Sequence, residues 1–203
     1  MSFPRSRIVS LLVTALLVAL FLAFAWANLE AWRRTGRPSG LGTTLLEAWV
    51  AILFVIRRPA IEVSRSRLAW IAAPLGSFAM LFARPEAGGL HQLPCEALQL
   101  LGVGVALLSL GTLGRSFGLV AANRGLRTRG PYGLIRHPAY TGYLVAYLGY
   151  VAENPSLRNI ALLGVSTAFQ LVRIREEERV LSDDDGYRAY ARRVRFRLVP
   201  YVY

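Results

Sequence analysis

The chain of 203 residues contains one cysteine, two histidines and no lysine, and only 18% of it is charged. Cys95 alone excludes an internal disulfide and any cysteine-cluster metal site, and His91 and His137 cannot build a metal centre by themselves. Metal chemistry is not expected. Charge is scarce beside the roughly 25% of an ordinary soluble domain. What fills the chain instead is apolar sequence, 54% of the total, arranged in runs. Five or six runs of membrane-spanning length use nearly all of it and leave no room for a separate soluble domain. The 24 basic residues are all arginine and, against 12 acids, give a net charge of +12. In a soluble protein that balance points to nucleic acid. Here the arginines flank apolar runs, as in a membrane protein, and no nucleic-acid partner is expected.

The clearest span is Ile8 to Leu29, uncharged throughout and long enough as a helix to cross a ~30 Å hydrocarbon core. Arg5 and Arg7 before it, with small residues near Ala23 to Ala27, resemble a secretory signal, but the run exceeds the usual ~7 to 15 apolar residues. Further candidates are Leu41 to Ile56, Leu68 to Ala83 and Pro94 to Val120, the last long enough to tilt or overrun the bilayer. Ala139 to Val151 and Pro155 to Val172 are shorter and separated by Glu153-Asn154-Pro155, where proline disfavours helix in the preceding residue. They are expected to form a helical hairpin. With six spans and the amino terminus inside, 19 arginines fall inside and 5 outside, although Arg33, Arg34 and Arg37 run against the bias. The sequence therefore predicts an all-α, multi-pass integral membrane bundle with five or six spans and both termini cytoplasmic. Residues 1–109 form its amino-terminal spans, and 110–203 carry the polar segments from which a cytoplasmic helical site would be built.

The first polar segment, Ala121 to Pro138, runs Asn123-Arg-Gly-Leu126-Arg127-Thr-Arg-Gly130-Pro-Tyr132-Gly-Leu-Ile-Arg136-His137-Pro138. A positive-inside loop with turn prolines and interfacial tyrosines explains its arginines and tyrosines. It does not explain His137, which could cap the helix that Pro138 starts, sit at the interface, or serve a ligand. The second segment, Arg173-Ile-Arg-Glu176-Glu177-Glu178-Arg179, places Arg173 and Glu177 four apart on one helical face. Arginine before glutamate is the weaker orientation of such a pair, worth ~0.2–0.5 kcal/mol, so helix stability is a poor reason for three consecutive acids. Glu177 needs another partner. A cationic amino or sulfonium ligand would supply one; a solvated acidic patch is the alternative.

Gly130-Pro-Tyr132, then Arg136-His137-Pro138-x-Tyr140-x-Gly142, Asn154-Pro155, Arg173-x-x-x-Glu177-Glu178-x-x-Leu181 and Tyr187-x-x-Tyr190 together resemble the isoprenylcysteine carboxyl methyltransferase family and the related phospholipid methyltransferases. The resemblance covers roughly Leu110 to Pro200. It implies an enzyme that binds S-adenosylmethionine at the cytoplasmic face and takes a lipophilic substrate from the bilayer. It further implies cofactor binding by Leu126, Arg127, Tyr132, the stretch His137, Pro138, Ala139 and Tyr140, and Glu177, with Arg173 as the catalytic residue on the substrate side. An acid and a His or Arg donor complement the methionine end of such a cofactor. The tail departs from the family's common form, being two residues shorter between Leu181 and Tyr187.

Gly102-x-Gly104 resembles a glycine pair associated with the cofactor in the phospholipid branch, while close helix packing is the commoner reason for small residues in a span. Glu47 lies inside a span, where an acid costs ~2.5–3.5 kcal/mol at mid-bilayer, and is either functional or neutral and hydrogen-bonded in the bundle. Glu96 is expected at an interface, favoured by a helix amino terminus. The tail from Arg188 to Tyr203 mixes arginines with aromatics and suits contact with membrane lipids. Two other function classes remain: a sterol-type membrane reductase using NADPH, which the arginine-rich loop suits and Glu177 opposes, and a non-enzymatic transporter using Glu47.

Overall fold

The computed structural model describes residues 3–85 and 93–202, with side chains from residue 8 onward; His91 lies outside the described residues. Seven α-helices, three short 3₁₀ helices and one two-residue ladder lie in the described chain, in two compact units, Met1–Arg57 and Arg58–Tyr203.

The first unit is a helical hairpin. α1 (Phe3–Thr35) ends at Gly36, whose φ of +69° suits glycine, and Pro38 starts α2 (Pro38–Ile56). Gly40 lets the helices close: a Cβ there would stand 3.2 Å from Trp32 Cβ. Deeper in the hairpin Glu47, 6% exposed, accepts a 3.1 Å hydrogen bond from Asn28 Nδ2. The structure shows this acid hydrogen-bonded inside the hairpin.

The second unit opens with β1 (Glu62–Val63), which pairs antiparallel with β2 (Ala122–Asn123) in the register Glu62↔Asn123 and Val63↔Ala122. α3 (Arg67–Phe78) passes into a 3₁₀ turn at Ala79–Phe82. The carbonyl of Gly76, near this change of winding, accepts from Ser166 Oγ at 2.9 Å and Gln170 Nε2 at 3.3 Å. α4 (Leu93–Leu113), with Glu96 in its first turn, packs on α5 (Pro138–Glu153). α6 (Leu157–Leu181) follows α5 after three residues and packs on α3; α7 (Asp185–Arg193) closes the set.

The α4–α5 interface is built on absent side chains. A Cβ on Gly102 would meet Ala146 N at 2.2 Å, and one on Gly142 would meet Ala106 N at 2.5 Å. Gly104 has nothing within 4 Å. The pair Gly102-x-Gly104 therefore splits, with Gly102 at a backbone contact and Gly104 over open space.

Three described helical stretches are long and apolar enough to cross a membrane: Ile8–Thr35, Pro38–Ile56 and Leu93–Ser116. This is the pattern of a multi-pass membrane protein. Five or six were expected, and the other apolar runs form helices that are shorter or more charged. The run from Leu68 rewinds at Ala79, α5 has only 16 residues, and α6, though 25 residues long, carries charge in its last two turns. The fourth run also stops short of Val120, because Gly114, at φ +51°, turns the chain after Leu113.

Candidate functional site

The site is assembled where the loop before α5, the last two turns of α6 and the segment after α7 meet. Pro138 starts α5, and His137 occupies the position before it with a non-helical backbone. Its side chain makes no capping bond. The buried ring instead puts Nε2 3.1 Å from Glu178 Oε1 and Nδ1 3.8 Å from Glu177 Oε2.

The three consecutive acids separate because successive residues on a helix turn by about 100°. Glu176 accepts from Ser64 Oγ at 3.1 Å and Arg179 at 2.6 Å. Glu177 accepts a hydrogen bond from the Tyr140 hydroxyl and lies 4.0 Å from Arg173 Nη2. Glu178 takes Arg136 Nη1 at 3.0 Å and His137 on one oxygen, and Arg197 Nε at 2.8 Å on the other. Burial alone would raise the Glu178 carboxyl, but the hydrogen bond and charge of His137, with Arg136 and Arg197, outweigh it and hold the group below the usual carboxylate range.

Arg173 is 8% exposed and almost fully engaged. Nη1 donates to Ser77 Oγ at 2.7 Å, Nη2 donates to the Leu119 carbonyl at 2.8 Å, and the guanidinium lies 5.1 Å from the centre of the Tyr140 ring. Its Nε is buried without an aligned acceptor. A cation held by α3, the loop and an aromatic face has a fixed position.

Tyr132 is buried at the edge of this group. Burial first, and then the charge of Glu177, push its hydroxyl well above the ordinary tyrosine value. Its carbonyl accepts from the Tyr190 hydroxyl at 2.7 Å, which ties the loop to α7. Burial pushes the Tyr190 hydroxyl up to about 12.

Of the residues singled out from sequence, Tyr132, His137, Tyr140, Arg173 and Glu177 are brought together, and Pro138 and Ala139 are buried at the start of α5. Leu126 packs on a separate cluster of Tyr187, Tyr190 and Val194, while Arg127 is exposed. Sequence reasoning missed the tail. Arg136 N and His137 N donate to the carbonyls of Phe196 and Arg197, both at 2.9 Å, and Thr141 Oγ1 donates to that of Leu198 at 2.8 Å. Leu198 is buried against Tyr140 and Ile174. Backbone pairing of this kind leaves no composition signal; the one available clue was a buried-type leucine between the last arginines and Pro200. Among the described residues no group of three or more His, Cys, Asp or Glu could hold a metal ion.

Residues 94–184 match the model of the phospholipid methyltransferase family. The match starts at the head of α4 and ends just before α7, so it contains the interlocked α4–α5 pair, the loop and all three acids. The tail strap and the arginines of α7 lie beyond it. The chain is also similar to the cobalt-zinc-cadmium resistance protein CzcN of Cupriavidus metallidurans, 37% identical over 100 residues, which is 46% of this chain and 46% of that protein. The chain thus aligns with about half of that relative's length.

Proposed function

We propose that this protein is a membrane methyltransferase that uses S-adenosylmethionine to methylate a lipophilic acceptor drawn from the bilayer. The observation that carries the reading is the environment of Glu177: a partly buried carboxylate facing Tyr140, His137 and Arg173, within the stretch that matches the phospholipid methyltransferases. The donor set suits the cofactor. Glu177 is an acceptor for its amino group, and His137 offers a polar ring beside it. Buried Tyr132 and Tyr140 provide aromatic surface and exclude water. Leu126 and Arg127 would take the loop side of the cofactor.

Bound there, S-adenosylmethionine supplies a methyl already activated by its sulfonium. The chain's part is to position and to desolvate, which is where most of the acceleration of an in-line displacement originates. Arg173, locked by Ser77 and Leu119, is the residue proposed to orient the acceptor. A carboxylate acceptor of the isoprenylcysteine kind is deprotonated at neutral pH and needs orientation alone, whereas an amine must first lose a proton. A carboxylate therefore asks less of the residues present. In the same reading α3, α5 and α6 complete five or six crossings, with the site and both termini on the cytoplasmic face.

Calorimetric titration of S-adenosylmethionine into detergent-solubilised protein tests this, with Glu177→Gln and His137→Ala compared after each proves monodisperse. Loss of a charged hydrogen bond worth ~1.5–3 kcal/mol predicts binding roughly 10- to 150-fold weaker in Glu177→Gln. If folded wild type binds no S-adenosylmethionine but binds NADPH, the methyltransferase reading falls.

A further inference from the structure

Arg197 lies beyond the stretch matched to the phospholipid methyltransferases, yet it holds His137 in two ways. Its carbonyl accepts the His137 backbone N–H at 2.9 Å, and its Nε donates to Glu178 Oε2 at 2.8 Å. The other oxygen, Glu178 Oε1, faces His137 Nε2 at 3.1 Å and Arg136 Nη1 at 3.0 Å. An ionised carboxylate only accepts, so the imidazole nitrogen at hydrogen-bond length from it carries a proton; a lone pair there would be repelled. The proton of a neutral His137 therefore sits on Nε2. Nδ1 is the nitrogen left to gain and lose one.

Nδ1 lies 3.8 Å from Glu177 Oε2, too far for a direct hydrogen bond. Without a proton it is a second acceptor beside that carboxylate, and two acceptors at one gap suit a donor with several N–H bonds, such as an ammonium group. The other charged or titratable groups near the ring are committed elsewhere. Tyr140, with its ring edge-on to the imidazole and the centres 5.8 Å apart, gives its hydroxyl proton to Glu177 Oε1, and Arg173 stands 4.0 Å from that same oxygen. Tyr187 interacts with Glu178 and Arg136, the groups on the Nε2 side. We propose that Arg197 is a positioning residue of the methyl-transfer site: through Glu178 it fixes the Nε2–H tautomer of His137, so that Nδ1 and Glu177 together receive the amino group of the cofactor. This rests on the reading of Glu177 as a cofactor ligand.

The test is NMR of the full chain in detergent, labelled at the histidine nitrogens, with S-adenosylmethionine affinity measured on the same preparations. His91→Gln leaves His137 as the single imidazole. Over about pH 5 to 9, Nε2 should keep the shift of a protonated nitrogen while Nδ1 changes. In Arg197→Gln the ratio of the Nε2–H to the Nδ1–H tautomer falls, and S-adenosylmethionine binds about threefold to thirtyfold more weakly. Arg197→Lys keeps the cation and retains both. The Arg197 side chain is 35% exposed and the strap is held by its backbone carbonyl, so neither substitution removes the strap's own bonds. Glu178→Gln, which presents a donor as well as an acceptor to Nε2, should mix the tautomers too and is the second variant. A merely structural Arg197 would lower the unfolding midpoint without moving the tautomer. Cofactor binding with a tautomer ratio unchanged in Arg197→Gln, or a wild type in the Nδ1–H form, overturns the role of Arg197. The expected tautomers in a wild type that binds no S-adenosylmethionine overturn instead the methyltransferase reading on which the role depends.

Discussion

Gly102→Ala should loosen the α4–α5 pair, and its size can be worked from the contact. The new methyl would lie 2.2 Å from Ala146 N and 2.6 Å from Gly142 O, both backbone atoms that no rotamer change can move. Ordinary contact begins near 3.4 Å, so the helices must part locally by about 1.2 Å. In a membrane, where small residues let helices approach and dispersion supplies much of the attraction, that separation weakens the contacts on both sides of the site. Overpacking of this kind costs about 1–3 kcal/mol. At about 2 °C or more per kcal/mol for a chain of this size, the unfolding midpoint should fall by roughly 2–12 °C. Gly104→Ala is the internal control: it faces open space in the same helix, and alanine is favoured there by about 0.5–1 kcal/mol. Thermal unfolding of both variants in one detergent, followed by circular dichroism, reads the difference. Equal midpoints for the two variants would refute the packing argument and return Gly102 to the cofactor.

The Glu178 carboxyl is held below its unfolded value, so the stability it contributes is present above about pH 4.5 and is lost as pH falls through its lower folded value. The unfolding midpoint should drop on acidification below that pH, and the drop should be shallower in Glu178→Gln. Asp184 caps α7 through bonds from Gly186 N at 2.7 Å and Tyr187 N at 3.2 Å, and Asp184→Ala should cost about 1 kcal/mol in chemical unfolding. Tyr190→Phe deletes the donor to the Tyr132 carbonyl and should cost about 1–3 kcal/mol; limited proteolysis should then cut the loop near Arg129 faster.

Much of the architecture was legible because apolar runs and proline starts are local signals. Pro138 stands at the first turn of α5, and Glu153-Asn154-Pro155 ends α5 where expected, whereas α2 starts at Pro38, three residues before the expected Leu41. The continuity of each helix was less legible, since an apolar run does not reveal where a helix rewinds: nothing in Leu68 to Ala83 announces the 3₁₀ turn at Ala79. Within the site, the spacing of Arg173 and Glu177 put them on one helical face, and they stand 4.0 Å apart there. Glu177 lacked a partner in sequence because that partner, Tyr140, is 37 residues away. The same distance problem hid Ser77 from Arg173 and Arg197 from Glu178. Long-range pairs of single side chains have no periodicity from which to be read.

The strap of Phe196 to Leu198 over Arg136, His137 and Thr141 also sets an order of events during synthesis. The helices of the matched stretch are made first and can enter the bilayer as they appear. The loop beside them has backbone donors whose acceptors are some sixty residues downstream and do not yet exist. A growing chain therefore holds its helices together before it can fix His137, and the group of side chains around Glu177 takes its final form only after Phe196 to Leu198 have been made.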